Sequence, residues 1–511
     1  MTENQNLGAV FDPELGGDKL GLIDCRDWEA PVEYTHREID DLANGCARGL
    51  LRRGLVRGES VAILSANRAE FLVAYLGILR AGLVAVPVNH KFPPPIVDFI
   101  LADSAVKYFF CDGPRREALT TEIPFTNFDL AGDGGFAALR DAGSFDPVAP
   151  GEEEIAMVLY TSGSTGRPKG VPLSHAGHRW ALEQRMKRGW PLAHHRLLFA
   201  APLYHMNALC TSLFGLAASA SAVLLPEFNA RRYLRAIERF GCTWVTSVPT
   251  MLAMALLEED LMAELDFSTV SVVRMGSAPT SAKLFARVKA AFPKARINVA
   301  YGTTEAGPVV FGPTDGRAVP DQSVGWPVAG VDVRLMDDKG AESDQGVLWQ
   351  RTPATTRGYL NLPDKTAEAL TPDGWYKSDD VFRRGPDGAY FFVGRSDDMF
   401  NSSGENIYPG EVEGVLLGHP NIEQSCVVPV ADEIKGALPI AFVVKKPGSS
   451  VTAEEVKQFA LAHAPPYQHP RMVVFVDRFP LAGPGKVDRN VLLARAAELW
   501  RGSEEQKRRA H

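Results

Sequence analysis

The chain is poor in cysteine, with six in 511 residues, at positions 25, 46, 111, 210, 242 and 426. No two of them form a Cys-x-x-Cys pair, so neither a zinc site nor a disulfide framework is indicated, and a reducing compartment, the cytoplasm, is the expected location. A basic surplus is also lacking. Lys and Arg total 54 against 62 Asp and Glu, a net charge of -8, which argues against a general nucleic-acid binder. The first eleven residues are polar and lack the basic and apolar regions of a signal peptide. A single uncharged stretch, residues 206–225, has about the length of a membrane span. Its Ala, Ser and Thr content and Gly215 make it too weakly apolar for lipid. It reads as a buried helix over 208–218 running into a strand over 222–225, so no transmembrane segment is expected.

What is present, 45% apolar and 23% charged residues, suits an ordinary enzyme of more than one domain. Thr35 and Glu38 form a capping box ahead of Ile39, Leu42, Ala43, Cys46 and Leu50, which recur on one helix face. Strands are expected at 60–65, 83–89 and 106–111 around a helix at 70–80. The alternation returns with helices at 232–240, 250–259 and 281–292 and strands at 244–248 and 270–275. This is the pattern of βαβ units in parallel sheets. From 325 to 394 the texture becomes short strands broken by turns such as Pro386-Asp387-Gly388. A tail follows with helices at 411–417 and 451–462, the latter capped by Thr452 with Glu455, and strands at 425–430 and 440–445. The expected architecture is α/β: a large N-terminal body of α/β subdomains plus a small β subdomain, residues 1–396, and a small α+β C-terminal domain, residues 397–511.

Four clusters carry chemistry. The first, Tyr160-Thr161-Ser162-Gly163-Ser164-Thr165-Gly166-Arg167-Pro168-Lys169-Gly170, combines hydroxyls, glycines and a lysine, as a phosphate cradle requires. It is not the common P-loop, because Gly170, not Ser or Thr, follows the lysine. A strand at 155–160 enters it, an extended piece at 171–173 leaves it, and Ser174 caps the next helix. The second, Tyr301-Gly302-Thr303-Thr304-Glu305, follows a strand at 296–300, at the end where open α/β sheets bind ligands. Thr304 suits a phosphate contact and Glu305 a magnesium ion. The third pairs Ser378-Asp379-Asp380 with Gly394-Arg395-Ser396-Asp397, in which an aspartate could accept two ribose hydroxyls and an arginine bind ribose or phosphate. The fourth is Gly485-Lys486-Val487-Asp488-Arg489, a turn suited to a lysine that reaches into another domain.

In order and spacing these clusters resemble the adenylate-forming superfamily: acyl-CoA synthetases, plant-type 4-coumarate-CoA ligases, firefly luciferase and nonribosomal adenylation domains. The resemblance extends from Tyr34 to about Leu493, including Gly404-Glu405-Asn406-Ile407-Tyr408-Pro409-Gly410. It implies an AMP-forming acid–thiol ligase acting in two steps, with ATP, Mg2+ and coenzyme A. By the same resemblance Thr161, Ser162, Gly163, Ser164, Thr165, Gly166 and Lys169 would hold the β- and γ-phosphates, with Thr161 and Glu305 assisting magnesium. Ser277 and Ala278, within Gly276-Ser277-Ala278-Pro279, and Ala300, Tyr301, Gly302, Thr303 and Thr304 would line the adenine and acyl sites. Asp380 and Arg395 would bind ribose, and Lys486 would serve adenylation. Asp397 would be the hinge of a mobile C-terminal domain, and Ser403 and Gly404 would border the CoA site.

Departures from that pattern bear on detail. Ser378-Asp379-Asp380 replaces the usual Thr-Gly-Asp, leaving two candidate ribose aspartates, of which alignment favours Asp380. Phe400-Asn401 replaces an apolar-Lys pair, and Gln468 stands where a lysine is common. His205, Met206 and Asn207 resemble the gate beside the acyl pocket, with His205 as a wall. No aspartate there could pair with an ammonium, which disfavours an amino-acid substrate. Gly276 and Gly302 are read as making room for an aryl, hydroxycinnamic or medium-chain acid. No carrier-protein domain is seen after residue 500, so free CoA is the expected acceptor. An acyl-AMP ligase loading a separate carrier, a luciferase-like oxygenase and a non-catalytic nucleotide-binding protein are the alternatives.

Overall fold

Apolar runs alternating with helices resolve into two largely parallel sheets. The computed structural model describes residues 5–12, 15–161, 167–187, 192–314, 317–402, 405–432, 435–482 and 486–510. Ser162, Gly163, Ser164, Thr165, Gly166, Ser403 and Gly404 therefore lie outside the described residues. One sheet has seven strands in the order Arg296–Ala300, Val272–Gly276, Trp244–Ser247, Arg196–Phe199, Ser221–Leu224, Leu20–Asp24 and Val32–Thr35. Only the last, edge strand runs antiparallel to its neighbour. The other sheet has six strands, Phe125–Asn127, Val106–Cys111, Ser60–Leu64, Val84–Pro87, Ile155–Thr161 and Lys169–Ser174, and ends in an antiparallel hairpin.

Both sheets feed one apolar core. Ile23 and Val245 of the first and Val61 and Met157 of the second belong to the same cluster as Leu72 and Leu76 of helix Ala69–Arg80 and Leu209 and Leu213 of helix Met206–Ala217. Every residue of helix Ala69–Arg80 except Glu70 is buried, so that helix has no solvent face. Helix Met206–Ala217 continues into strand Ser221–Leu224, and among the described residues no helix is long and apolar enough to cross a membrane. The Thr35–Glu38 capping box is formed in both directions, as is the one at Thr452 and Glu455.

Two expectations need correction. The helix expected over 250–259 is two helices, Pro249–Ala255 and Glu259–Glu264. Leu256 closes the first, and Glu259 and Asp260 supply the first-turn carboxylates that favour a new start. Lys169 does not belong to the loop: it opens strand Lys169–Ser174 and pairs across the hairpin with Thr161.

The next part of the chain forms a four-stranded antiparallel sheet, Asp332–Met336, Gln345–Arg351, Tyr376–Arg384 and Tyr390–Arg395, with the Pro386-Asp387-Gly388 turn between its last two strands. Gly388 there takes φ +79°, open to glycine without a Cβ penalty. The chain changes sheets between Arg395 and Phe400. Strands Phe400–Ser402, Glu405–Ile407, Ile422–Asp432, Gly436–Lys445 and Met472–Phe475 build a separate sheet covered by helices Pro409–Leu417 and Ala453–His463. The apolar clusters on its two faces draw on residues after 399 alone. This small C-terminal domain touches the large N-terminal body through Arg287, which donates to the Glu423 carboxylate, and Lys283, which donates to the Ile422 carbonyl.

Candidate active site

The strand ends of the seven-stranded sheet, the hairpin of the six-stranded sheet and the C-terminal domain face one cavity of about 2620 Å3. At one end the hairpin presents Thr161 and Lys169 side by side. Thr161 Oγ1 is buried and, among the described residues, has no hydrogen-bond partner. Such a hydroxyl is costly unless something fills its lone pairs, and a phosphate oxygen or a hydrated cation would do so. Lys169 Nζ lies 4.3 Å from the centroid of the Tyr359 ring, and the Tyr359 hydroxyl donates to Glu305 Oε1 at 2.9 Å. The ring thus spans the gap between the cation and a carboxylate that is only 8% exposed. Among the described residues no three His, Cys, Asp or Glu side chains gather as a metal cage. One carboxylate beside a phosphate cradle is instead the donor set that suits magnesium carried in on phosphates.

The middle of the cavity is organised around Asp380. Its strand, Tyr376–Arg384, pairs Asp380 with Arg395 of strand Tyr390–Arg395. The Tyr301 hydroxyl donates to Asp380 Oδ2 at 2.6 Å, and Arg395 Nη1 donates to Oδ1 at 3.2 Å. Arg395 also grips Asp397 with two hydrogen bonds, from Nε at 2.7 Å and Nη2 at 2.8 Å. Burial raises the Asp380 pKa to about 6, although the Arg395 charge works against the rise. The neighbouring Asp379 is exposed, with φ +58°, and its carbonyl accepts the Ser396 N–H at 2.7 Å. Of the two candidate aspartates, then, Asp380 is held in the interior and Asp379 faces outward from the same strand. Ser277, at φ +68°, and Ala278 follow strand Val272–Gly276 on the cavity wall, together with Ala300, Thr303 and Thr304. Thr303 Oγ1 accepts from the Ala306 N–H and from Gln350 Nε2, which fixes the turn that presents Glu305.

The other wall carries His205, Met206 and Asn207 at the start of helix Met206–Ala217. The His205 ring packs 4.5 Å from that of Tyr204, which in turn meets the edge of His90 at 5.4 Å. Burial, aided by the Lys486 charge and then by His90, lowers the His205 pKa to about 3, so this side chain is a neutral wall at physiological pH. The reading of Gly302 as pocket space needs correction. A Cβ there would lie 2.7 Å from the Gly307 carbonyl oxygen and 2.9 Å from Pro308 backbone, so glycine is required by backbone packing. Gly276 likewise faces its cross-strand partner Ala300, whose carbonyl oxygen would be 3.1 Å from an added Cβ.

Lys486 reaches this cavity from the C-terminal domain, on the short strand Lys486–Val487. Its side chain faces the open cleft and keeps exposed surface. The surrounding protein still removes enough water to lower its pKa; Asp380 opposes the fall and Arg395 adds to it. Arg489, three residues on, anchors the turn by donating to the Glu413 carboxylate at 2.7 Å and the Val427 carbonyl at 2.8 Å. Gln468 is buried and donates to Glu411 Oε2 at 3.0 Å, so the amide at this position is used inside the C-terminal domain.

Two side chains of the cavity escaped the sequence reading: Tyr359 and Arg274. Tyr359 sits in an unremarkable Arg-Gly-Tyr-Leu stretch. Arg274 interrupts an apolar strand, Val-Val-Arg-Met-Gly, and that interruption was the available signal.

Comparison with known proteins agrees with this geometry. Residues 16–360 match the model of a family described as AMP-binding enzyme, and residues 411–486 match that of the AMP-binding enzyme C-terminal domain. A 4-coumarate–CoA ligase of Nicotiana tabacum is 30% identical over 487 residues, covering 91% of this chain and 90% of that protein. Another, from Oryza sativa subsp. japonica, is 30% identical over 502 residues, covering 94% and 92%. Among solved structures, an anthranilate CoA ligase in complex with anthranoyl-AMP superposes with a TM-score of 0.87 at 25% identity over 98% of both chains. ATP-bound MatB from Rhodopseudomonas palustris also gives 0.87, at 28% identity over 97% of this chain and 100% of that one.

The backbone contact at Gly302 is testable. Gly302→Ala is expected to push the Gly307–Pro308 segment aside at a cost of about 1–3 kcal/mol, read as a lowered Tm. An unchanged Tm with only an altered acid preference would return this glycine to the role of pocket spacer.

Proposed function

This chain belongs to the AMP-binding enzyme family and is an AMP-forming acyl-CoA synthetase; from that premise we propose that it joins an aryl, hydroxycinnamic or medium-chain carboxylic acid to CoA. In the first step a carboxylate oxygen attacks the α-phosphorus of ATP and the bond to pyrophosphate breaks. In the second the CoA sulfur, losing its proton, attacks the acyl carbon, and AMP leaves. The observation that supports the assignment of residues is that two lysines from different parts of the chain, Lys169 and Lys486, line one cavity. Lys486 shares the field of Asp380, and Lys169 stands with Thr161, Tyr359 and Glu305.

With Asp380 and Arg395 on the ribose, the neighbouring α-phosphate falls under Lys486, where negative charge gathers in the first transition state. A cation positioned there acts most strongly once the bound substrates exclude water from it. Lys169 and the 162–166 loop hold the β- and γ-phosphates, so the leaving pyrophosphate is stabilised separately. Thr161 and Glu305 would hold magnesium, which screens the phosphate charge when bound. Tyr301 keeps Asp380 aimed at the ribose. His205, uncharged, shields the reacting carboxylate from water. The N-terminal domain, 1–396, and the C-terminal domain, 397–511, meet at Asp397, about which the latter rotates to withdraw Lys486 and bring Ser403 and Gly404 to the CoA channel.

Two outcomes test this division. Lys486→Ala is expected to slow adenylate formation about 1000-fold or more while converting a supplied acyl-adenylate to thioester at close to the normal rate; equal loss in both half-reactions would contradict it. The second concerns pH. Ribose hydroxyls donate to the ionised form of Asp380, so AMP affinity is expected to fall as pH drops below about 6 and to be flat above it. Asp380→Asn should bind AMP weakly and without that slope, as read by calorimetry between about pH 5 and 8. Folding shows the opposite sign: a raised carboxyl pKa means the native state holds the extra proton, so this group's contribution to stability declines as pH rises to about 6.

A further inference from the structure

A lysine and a glutamate that share one cavity are drawn together as an ion pair. Lys169 and Glu305 both line the cavity, yet among the described residues no ion pair joins them. Tyr359 stands between them. Its ring meets the Lys169 ammonium 4.3 Å from the centroid, and its hydroxyl donates to Glu305 Oε1 at 2.9 Å. An aromatic face attracts a cation without neutralising it, and a hydroxyl satisfies a carboxylate oxygen without cancelling its charge. Both groups therefore keep their charge for a ligand.

The backbone around the tyrosine fixes it in that position. Tyr359 is only 8% exposed and belongs to the main apolar core. Residues 356–360 bridge the two elements that carry the charges. On one side the Leu360 N–H donates to the Gly170 carbonyl at 2.8 Å and the Thr356 hydroxyl to the Pro172 carbonyl at 2.8 Å, both on strand Lys169–Ser174. On the other the Thr356 N–H donates to the Glu305 carbonyl at 2.7 Å. The Tyr359 N–H is held by Thr366 Oγ1 at 2.9 Å. Burial, and after it the Glu305 charge, raises the Tyr359 pKa, so the hydroxyl stays a proton donor at physiological pH.

An apolar side chain in place of this ring would offer the ammonium no attraction and the carboxylate no donor. The favoured arrangement would then be a Lys169–Glu305 ion pair, and an incoming phosphate would have to displace the protein's own carboxylate from the cation. Resting on the ligase reading above, we propose that Tyr359 is a positioning residue that holds Lys169 and Glu305 apart, so that the phosphates of ATP meet a cation not already paired and the carboxylate beside it stays open to magnesium.

The test is a double-mutant cycle on nucleotide binding, read by calorimetry on the full chain with a chelator present, so that Glu305 has no metal to hold. Tyr359→Leu is expected to weaken ATP binding about tenfold in the native background and to leave it within about twofold in the Glu305→Gln background, where no carboxylate remains to capture Lys169. AMP lacks the β- and γ-phosphates, so its affinity should be unchanged by Tyr359→Leu in both backgrounds. Tyr359→Phe keeps the ring and should hold ATP affinity within about threefold of the native value. Equal loss of ATP binding in both backgrounds, a parallel loss of AMP binding, or a loss in Tyr359→Phe as large as in Tyr359→Leu would overturn the proposal. Should Tyr359→Leu fail to fold, Tyr359→Met reads the same cycle. ATP that binds the native protein with magnesium but not with chelator would leave the ligase standing and remove this inference. ATP that binds under neither condition would remove the ligase reading as well.

Discussion

A single buried carboxylate ties the working parts of this molecule together. Asp380 belongs to the four-stranded sheet, its hydrogen bonds come from Tyr301 at the edge of the seven-stranded sheet and from Arg395 just before the sheet change, and its field reaches Lys486 on the C-terminal domain. Arg395 extends the link to Asp397. Even so, burial outweighs these contacts and leaves its pKa near 6. A buried charge that is only partly compensated gains when a ligand brings further donors, and ribose hydroxyls are such donors. The group that joins the subdomains is therefore also the one prepared for the nucleotide.

The remaining charges fall into place around it. Lys169 and Lys486 come from different domains, one fixed in a hairpin and backed by the Tyr359 ring, the other on a two-residue strand steadied by Arg489. This asymmetry suits the roles proposed for them: a hairpin lysine would stay in place through both half-reactions, whereas a lysine on the C-terminal domain would leave after the first. The contacts of Arg287 and Lys283 with the C-terminal domain are polar, as the proposed rotation requires of contacts that must be broken and remade.

Much of this was legible in the amino-acid order because local chemistry dictates it. The Thr35–Glu38 and Thr452–Glu455 caps, the buried strand 106–111 and the turn at Gly388 follow from rules that span a few residues. Glu305, Arg395 and Lys486 were found as separate motifs because each lies at the end of an element or in a turn, and Asp380 because it belongs to an acidic pair within strand Tyr376–Arg384. What sequence could not convey is which side chains meet over long separations. Tyr359 lies 54 residues from the Glu305 it contacts, and Arg274 67 residues from Asn207. Gly302 was read as empty space because nothing local reveals that Gly307 and Pro308 fold back onto it.

In the proposed reaction, charge is focused on the α-phosphate of ATP beside the buried Asp380, and the acid is delivered there and then passed to a thiol. The most direct measurement is product analysis by mass spectrometry after incubation of the protein with ATP, magnesium, CoA and a mixed panel of mono- and dicarboxylic acids. AMP, pyrophosphate and an acyl-CoA thioester are expected in equal amounts. ADP with phosphate, or thioester without AMP, would contradict that reaction.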